Sequence, residues 1–216
     1  MNALVGRLSA VAPPKPARGE SVTLTGSFPL IPTSLFYVHL VRASEGAAGT
    51  FGTAIANLGA DIVIDGICFT LASSNQLADA LEGKISQLIH VGTIWTHGFS
   101  TVVPTPESAV KFPFGDYGVA KAAIEADLLR RSHTGGVPTT VIHPGHISGP
   151  GWIPINPAGH LDLAVFQNPA DGRPVTLPGL GMETLHHVHA ADVAGGFLAA
   201  IANRSVAPGQ RCHAVP

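Results

Sequence analysis

The run ADIVIDGICF, residues 60–69, constrains this chain more than any other stretch. Its apolar residues are nearly continuous rather than alternating, as in a strand of a parallel sheet covered on both faces. Parallel neighbours need crossover connections, usually helical, and the flanking sequence supplies them. SLFYVHLV (34–41) reads as a strand, and GTAIANLG (52–59) as a short helix closing on Gly59. SSNQLADALEGK (73–84) reads as a helix with Ser or Asn as its N-cap and Gly83 near its end. Then come a strand in ISQLIHVGTIW (85–95), a helix in GDYGVAKAAIEADLLRR (115–131) and a strand in PTTVIHPG (138–145). This alternation predicts an α/β domain built on a parallel sheet.

Three regions follow. Residues 1–33 form an atypical leader, 34–149 the α/β core, and 150–216 a smaller portion that binds substrate. The leader has Arg7, Lys15 and Arg18 but no acid in its first 19 residues. That suits a transit peptide, but the clustered Pro13, Pro14 and Pro16 favour a plain disordered leader. After Gly149 the sequence is rich in Pro, Gly and Asn. Periodicity returns in HHVHAADVAGGFLAAIANR (186–204), a returning strand end that runs into a helix.

Composition narrows the function. Hydrophobic residues make up 45% of the 216 and charged ones 12%, enough for one substantial core. No apolar run approaches the ~20 residues of a membrane helix. A net charge of -2 without a basic block gives no support for nucleic-acid binding. Cys68 and Cys212 alone make no disulfide framework, which favours a reducing, cytoplasmic setting.

The chemistry centres on Tyr117 and Lys121. Four residues apart on a helix, a phenol and an ammonium share one face, and a cation beside a phenol favours the phenolate. Tyr117 could then exchange a proton with a substrate hydroxyl or carbonyl. The plain alternative is a surface pair that happens to share a face. Thr93, in HVGTIWTHG, stands where a strand ends, the side on which open α/β sheets bind ligands. Its hydroxyl could reach the same substrate oxygen, or merely cap the loop. HPGHISGPGW (143–152) follows the next strand at the same edge.

In this combination and order, DIVIDGICF, HVGTIWTHG, YGVAK, HPGHISGPG and HHVHAADVA resemble the NAD-dependent epimerase/dehydratase family, the extended short-chain dehydrogenases/reductases. The likeness runs from about residue 36 to 216. It implies a Rossmann-like sheet flanked by helices, NAD or NADP as cofactor and a hydroxyl-bearing, sugar-like small-molecule substrate, and it leaves a homodimer open. It implies Thr93, Tyr117 and Lys121 as the catalytic set, with Lys121 also holding the nicotinamide ribose. Gly66, Ile67 and Cys68 would line the cofactor, and His143, Pro144, Gly145 and His146 would lie near the nicotinamide. Two positions depart from the family: Gly92 stands where Ser is usual, and His143 where Arg is frequent.

Among the 11 histidines, His143, His146, His186, His187 and His189 invite a metal reading. No H-E-x-x-H or comparable spacing supports it, and Glu183 and Asp192 fit no ligand pattern, so no metal is assigned. EGAAGTFG (45–52) offers the other rival, a glycine-rich phosphate loop with Asp65 as ribose acid about 20 residues on. Only TAIANL separates Gly52 from Gly59, under two helical turns. In family register FYVHLV is the third strand, DIVID the fourth, and the glycines lie in a connection. Upstream, SVTLTGSFPLIP has Thr25-Gly26 like a first strand but no later glycines. The chain also stops at QRCHAVP, where the family usually continues. The expectation is a family member incomplete at both ends, with weak dinucleotide binding. The alternatives are a catalytically silent relative acting as a binding or interaction module and, more distantly, a metal-dependent hydrolase.

Overall fold

A computed structural model describes residues 21–26, 36–41, 50–100, 102–157, 161–181 and 185–214. The leader before residue 21, and Gly46 and Gly49 of the glycine-rich run, lie outside these. In chain order the elements are β1 (Ser21–Gly26), β2 (Phe36–Val41), α1 (Phe51–Ala56), β3 (Ile62–Asp65), α2 (Leu71–Leu81) and β4 (Gln87–Val91). They continue with α3 (Gly115–His133), β5 (Thr139–Pro144), β6 (His146–Ser148), α4 (Ala164–Ala170), β7 (His187–His189), α5 (Ala190–Ala202) and β8 (Arg211–Ala214). A 3₁₀ turn, Ile94–His97, follows β4, and another spans Pro178–Gly181.

The apolar runs meet in a four-stranded sheet ordered β3-β4-β5-β8, parallel throughout. Alternate residues of β4 face opposite sides. Leu88 joins a core with Phe51, Leu77, Leu81, Ile124 and Leu128, while Ile89 joins one with Ile142, Val188, Val193 and Ala200. Apolar side chains on both faces explain the unalternating pattern of these strands. Because all four strands run the same way, the loops after β3, β4 and β5 share one edge.

FYVHLV does not extend this sheet. It pairs antiparallel with Ser21–Gly26 in a ladder of its own, against the third-strand register that the family likeness implies. The sequence makes that pairing accessible, because antiparallel partners need only a short link whereas a parallel neighbour needs a long crossover. Among the described residues β3 is therefore an edge strand, with Ile64 52% exposed.

Two local details differ from the sequence reading. The cap of α2 is Thr70, not Ser or Asn, and its hydroxyl accepts from Ser73 N at 3.2 Å. Gly52, the last glycine of EGAAGTFG, is the second residue of α1, a helix of six residues. A Cβ there would stand 2.5 Å from the Gln76 carbonyl oxygen. This glycine serves the close approach of α1 to α2, which accounts for its identity without a phosphate.

Candidate active site

The helix that carries the candidate acid/base also buries two charges. Gly118, Lys121, Ile124, Glu125, Leu128 and Leu129 form the buried stripe of α3, at the spacing of one helix face. Lys121 and Glu125, four apart, each meet a different histidine network beneath the carboxyl edge of the sheet.

Lys121 is 2% exposed. Its Nζ donates to the carbonyls of Cys68 (2.8 Å) and Val91 (3.0 Å) and lies 3.4 Å from His90 Nε2 and 4.8 Å from the Phe69 ring centre. His90 Nδ1 in turn donates to Asp65 Oδ2 at 2.7 Å. Asp65 Oδ1 accepts from the amides of Ile67 and Cys68, each at 3.0 Å, and so folds the loop after β3. Burial pushes the Asp65 carboxyl up, but His90 and the two amides more than offset it and hold its pKa at about 2. Burial lowers His90, with Asp65 opposing. The arrangement is a buried carboxylate, a neutral imidazole and an ammonium in series. The family likeness gives Lys121 a ribose contact; here its N–H groups already point at backbone carbonyls and His90, so that contact would have to displace one of them.

Tyr117 stands in the first turn of α3, 46% exposed, with its ring centre 6.1 Å from that of Phe69. The next residue, Gly118, packs so closely on the turn after β4 that a Cβ would lie 3.1 Å from the Trp95 carbonyl oxygen. Tyr117 is thus seated between the loops that follow β3 and β4.

Thr93 is buried and extended, and it caps the 3₁₀ turn by accepting from Trp95 N at 3.3 Å. The capping role weighed from sequence is therefore present. The hydroxyl proton is engaged by no hydrogen bond among the described residues, which leaves a donor for a substrate oxygen. Gly92 has a steric reason to lack a side chain: a Cβ would meet Val141 Cγ1 at 2.9 Å and His143 Cδ2 at 3.2 Å.

The loop after β5 divides its residues. His143 is fully buried and turned beneath Thr93, where its Nδ1 donates to the Thr93 carbonyl at 2.7 Å. It supports the turn from behind rather than facing an open cleft beside Pro144. Gly145 allows β6 to approach β7, since a Cβ would lie 2.5 Å from His186 Cδ2. His146 is at the rim, its ring edge-on to Trp95 with centroids 5.7 Å apart. In the loop after β3, Gly66 is exposed, Ile67 is half-buried, and the Cys68 side chain belongs to the core.

Sequence reasoning missed Asp65, in this role, and His90, Glu125, His97 and His213. The available signal was polarity in the wrong place: an acid ending an apolar strand and a histidine within one. Glu125 receives Lys111 on both carboxylate oxygens and has His143 Nε2 at 3.0 Å. Burial raises its pKa, but His143 and Lys111 more than offset this and hold it at about 2. Burial pushes His97 down to about 4, with the charges of Lys111, His213 and His143 adding and Glu125 opposing.

Residues 69–212 match the NAD dependent epimerase/dehydratase family, more than half of the chain. The chain belongs to that family. No curated protein matches it. Among solved structures it is similar to the UDP-glucuronic acid 4-epimerase of Bacillus cereus, crystallised with UDP-glucuronic acid and NAD, at 19% identity and a TM-score of 0.62. That match covers 81% of this chain and 59% of the epimerase. The dTDP-glucose 4,6-dehydratase of Bacillus anthracis, in complex with NAD, matches at 15% identity and TM-score 0.63, over 80% and 57% of the two chains. The UDP-glucose 4-epimerase of Thermotoga maritima, with UDP-glucose, matches at 20% and 0.60, over 80% and 60%. The chain thus spans about 60% of the length of these neighbours. At such identities the likeness shows the fold, an α/β parallel sheet flanked by helices. Among the described residues no helix is long and apolar enough to cross a membrane.

Proposed function

We propose that this chain is an NAD- or NADP-dependent epimerase, dehydratase or reductase acting at a hydroxyl-bearing carbon of a sugar-like substrate. The observation that carries the reading is the seat of Tyr117, between the loops after β3 and β4 at the carboxyl edge of the sheet, with the Thr93 hydroxyl on the adjoining turn and Lys121 one helical turn below. Ligands of open α/β sheets bind at this edge.

The residues fit the nicotinamide end of the cofactor better than its diphosphate. Phe69 and Trp95 present exposed ring surface around Tyr117, suited to a flat heterocycle. For the diphosphate the described residues offer no glycine-rich turn feeding a full helix, since α1 has six residues and its Gly52 is spent on packing. When bound, the nicotinamide would supply hydride transfer. Tyr117 would take or return the proton of the substrate hydroxyl. Thr93 would hold the same oxygen by donating its O–H. Lys121, a fixed cation one turn along the helix, would favour the phenolate electrostatically and keep the loop after β3 in place through Cys68.

Thr93→Val tests the donor. Turnover of UDP- or dTDP-sugars with NAD⁺ is expected to fall roughly 10²-fold, the cost of losing one positioned donor to a developing oxyanion, and Thr93→Ser should recover most of it. Thermal melting of both variants controls for the lost cap. Equal rates in Thr93→Val and the wild type would remove Thr93 from the site.

A further inference from the structure

Behind the Thr93 turn, three histidines from distant parts of the chain converge. His97 ends the 3₁₀ turn, His143 lies on β5 and His213 is its register partner on β8. Their ring centres are 5.0–6.0 Å apart pairwise, and one ring nitrogen from each lies within 4.8 Å of the others. Among the described residues this is the grouping of His, Cys, Asp and Glu with such convergence. It includes His143 but none of the other histidines weighed from sequence. Two of those have separate occupations: His187 donates to the Ile155 carbonyl at 2.8 Å, and His189 accepts from Ala191 N at 3.1 Å.

The ring nitrogens are arranged as ligands. His143 uses Nδ1 on the Thr93 carbonyl, which leaves Nε2 as its donor atom; metal-bound histidines commonly donate their other N–H to a backbone carbonyl in this way. That Nε2 is buried with Glu125 Oε2 3.0 Å away, and it gives up its proton when it binds an ion. His97 Nε2 and His213 Nε2 share a hydrogen bond at 3.0 Å, which an ion would replace. Two nitrogens bound tetrahedrally at about 2.0–2.1 Å stand roughly 3.3 Å apart, so the His97–His213 pair needs only a small adjustment, and the His143 nitrogen, within 4.8 Å of both, must close in to complete the set. Glu125 adds a carboxylate beside the third nitrogen. Lys111, which holds Glu125, is partly exposed and can swing outward, and Arg211 Nη1 is 3.9 Å from the same carboxylate. Glu107 Oε1 accepts from His213 N at 3.2 Å and fixes the approach of β8.

We propose that His97, His143 and His213 form a binding site for one divalent transition-metal ion, zinc by its three-imidazole donor set. The ion ties β8 and the turn after β4 to β5, and through His143 it braces the backbone of Thr93. This site is independent of the nicotinamide reading, because its readout is binding alone.

The test uses the untagged full chain, stripped with a chelator and titrated with Zn²⁺ by calorimetry and with Co²⁺ by visible absorption. One ion per chain is expected, with the strong visible bands of tetrahedral cobalt. His213→Ala, at a half-buried position, should weaken binding by at least about 10–100-fold, the loss that even outer-shell changes produce. His97→Gln provides a second, independent variant. His146→Ala and His187→Ala should bind as the wild type does. A wild-type chain with no stoichiometric binding overturns the site whatever the variants do. So does affinity unchanged in both His213→Ala and His97→Gln, or affinity lost only in the His146 and His187 variants, which would mark an adventitious ion elsewhere.

Discussion

Tyr117→Phe is expected to lower turnover 10²–10⁴-fold, the range of a positioned acid/base, without loosening the fold. The change removes one oxygen. The ring stays against Phe69, and the residue is half exposed, outside the buried stripe of α3. Rates on a panel of sugar nucleotides with NAD⁺, measured beside thermal melts, separate the two effects. A large rate loss at constant melting temperature is the expected outcome. A rate equal to the wild type's would leave the family fold with no acid/base at Tyr117 and favour the binding-module alternative.

The second large effect is on stability. Asp65→Ala is expected to cost about 3–5 kcal/mol, as when one partner of a buried charged pair is deleted. The carboxylate accepts from two amides and from His90, and it is the anion that balances buried Lys121 across the imidazole. Against a typical total of 5–15 kcal/mol this is a large share. The pH dependence follows from the same residue. Its folded pKa, about 2, lies below the reference value of 3.8. The stabilisation is therefore complete above the reference value and lost as pH falls from about 4 towards 2, on the order of 2 kcal/mol. Glu125, moved from 4.5 to about 2, acts in the same direction. Urea unfolding between neutral pH and pH 2.5 should show a steep acid loss in the wild type and a shallower one in Asp65→Ala. Parallel curves would mean that Asp65 carries no such charge coupling.

Much of this was legible in the residues. The nearly continuous apolar run at 60–69 marked a parallel strand, with Ile62 and Val63 packed on opposite faces although Ile64 lies exposed at the sheet edge, and the i, i+4 spacing placed Tyr117 and Lys121 on one helix. Less legible was where the polar partners lie. His90, Glu125, His97 and His213 acquire meaning only when segments 25 to 116 residues apart come side by side, and no local spacing encodes that. Lys121 shows the limit of a motif: spacing gave its helix face, but not that its ammonium would be held by Cys68 and Val91. FYVHLV shows the limit of a register, since a strand pattern does not choose between a parallel and an antiparallel neighbour.

The edge of the sheet that carries Tyr117 is proposed to receive a nicotinamide. Saturation-transfer NMR of NAD⁺ and NADP⁺ at millimolar concentration with the full chain tests it most directly. Transfer to the nicotinamide ring protons is expected, reduced in Phe69→Ala. Absence of transfer to those protons, with either dinucleotide, would contradict it.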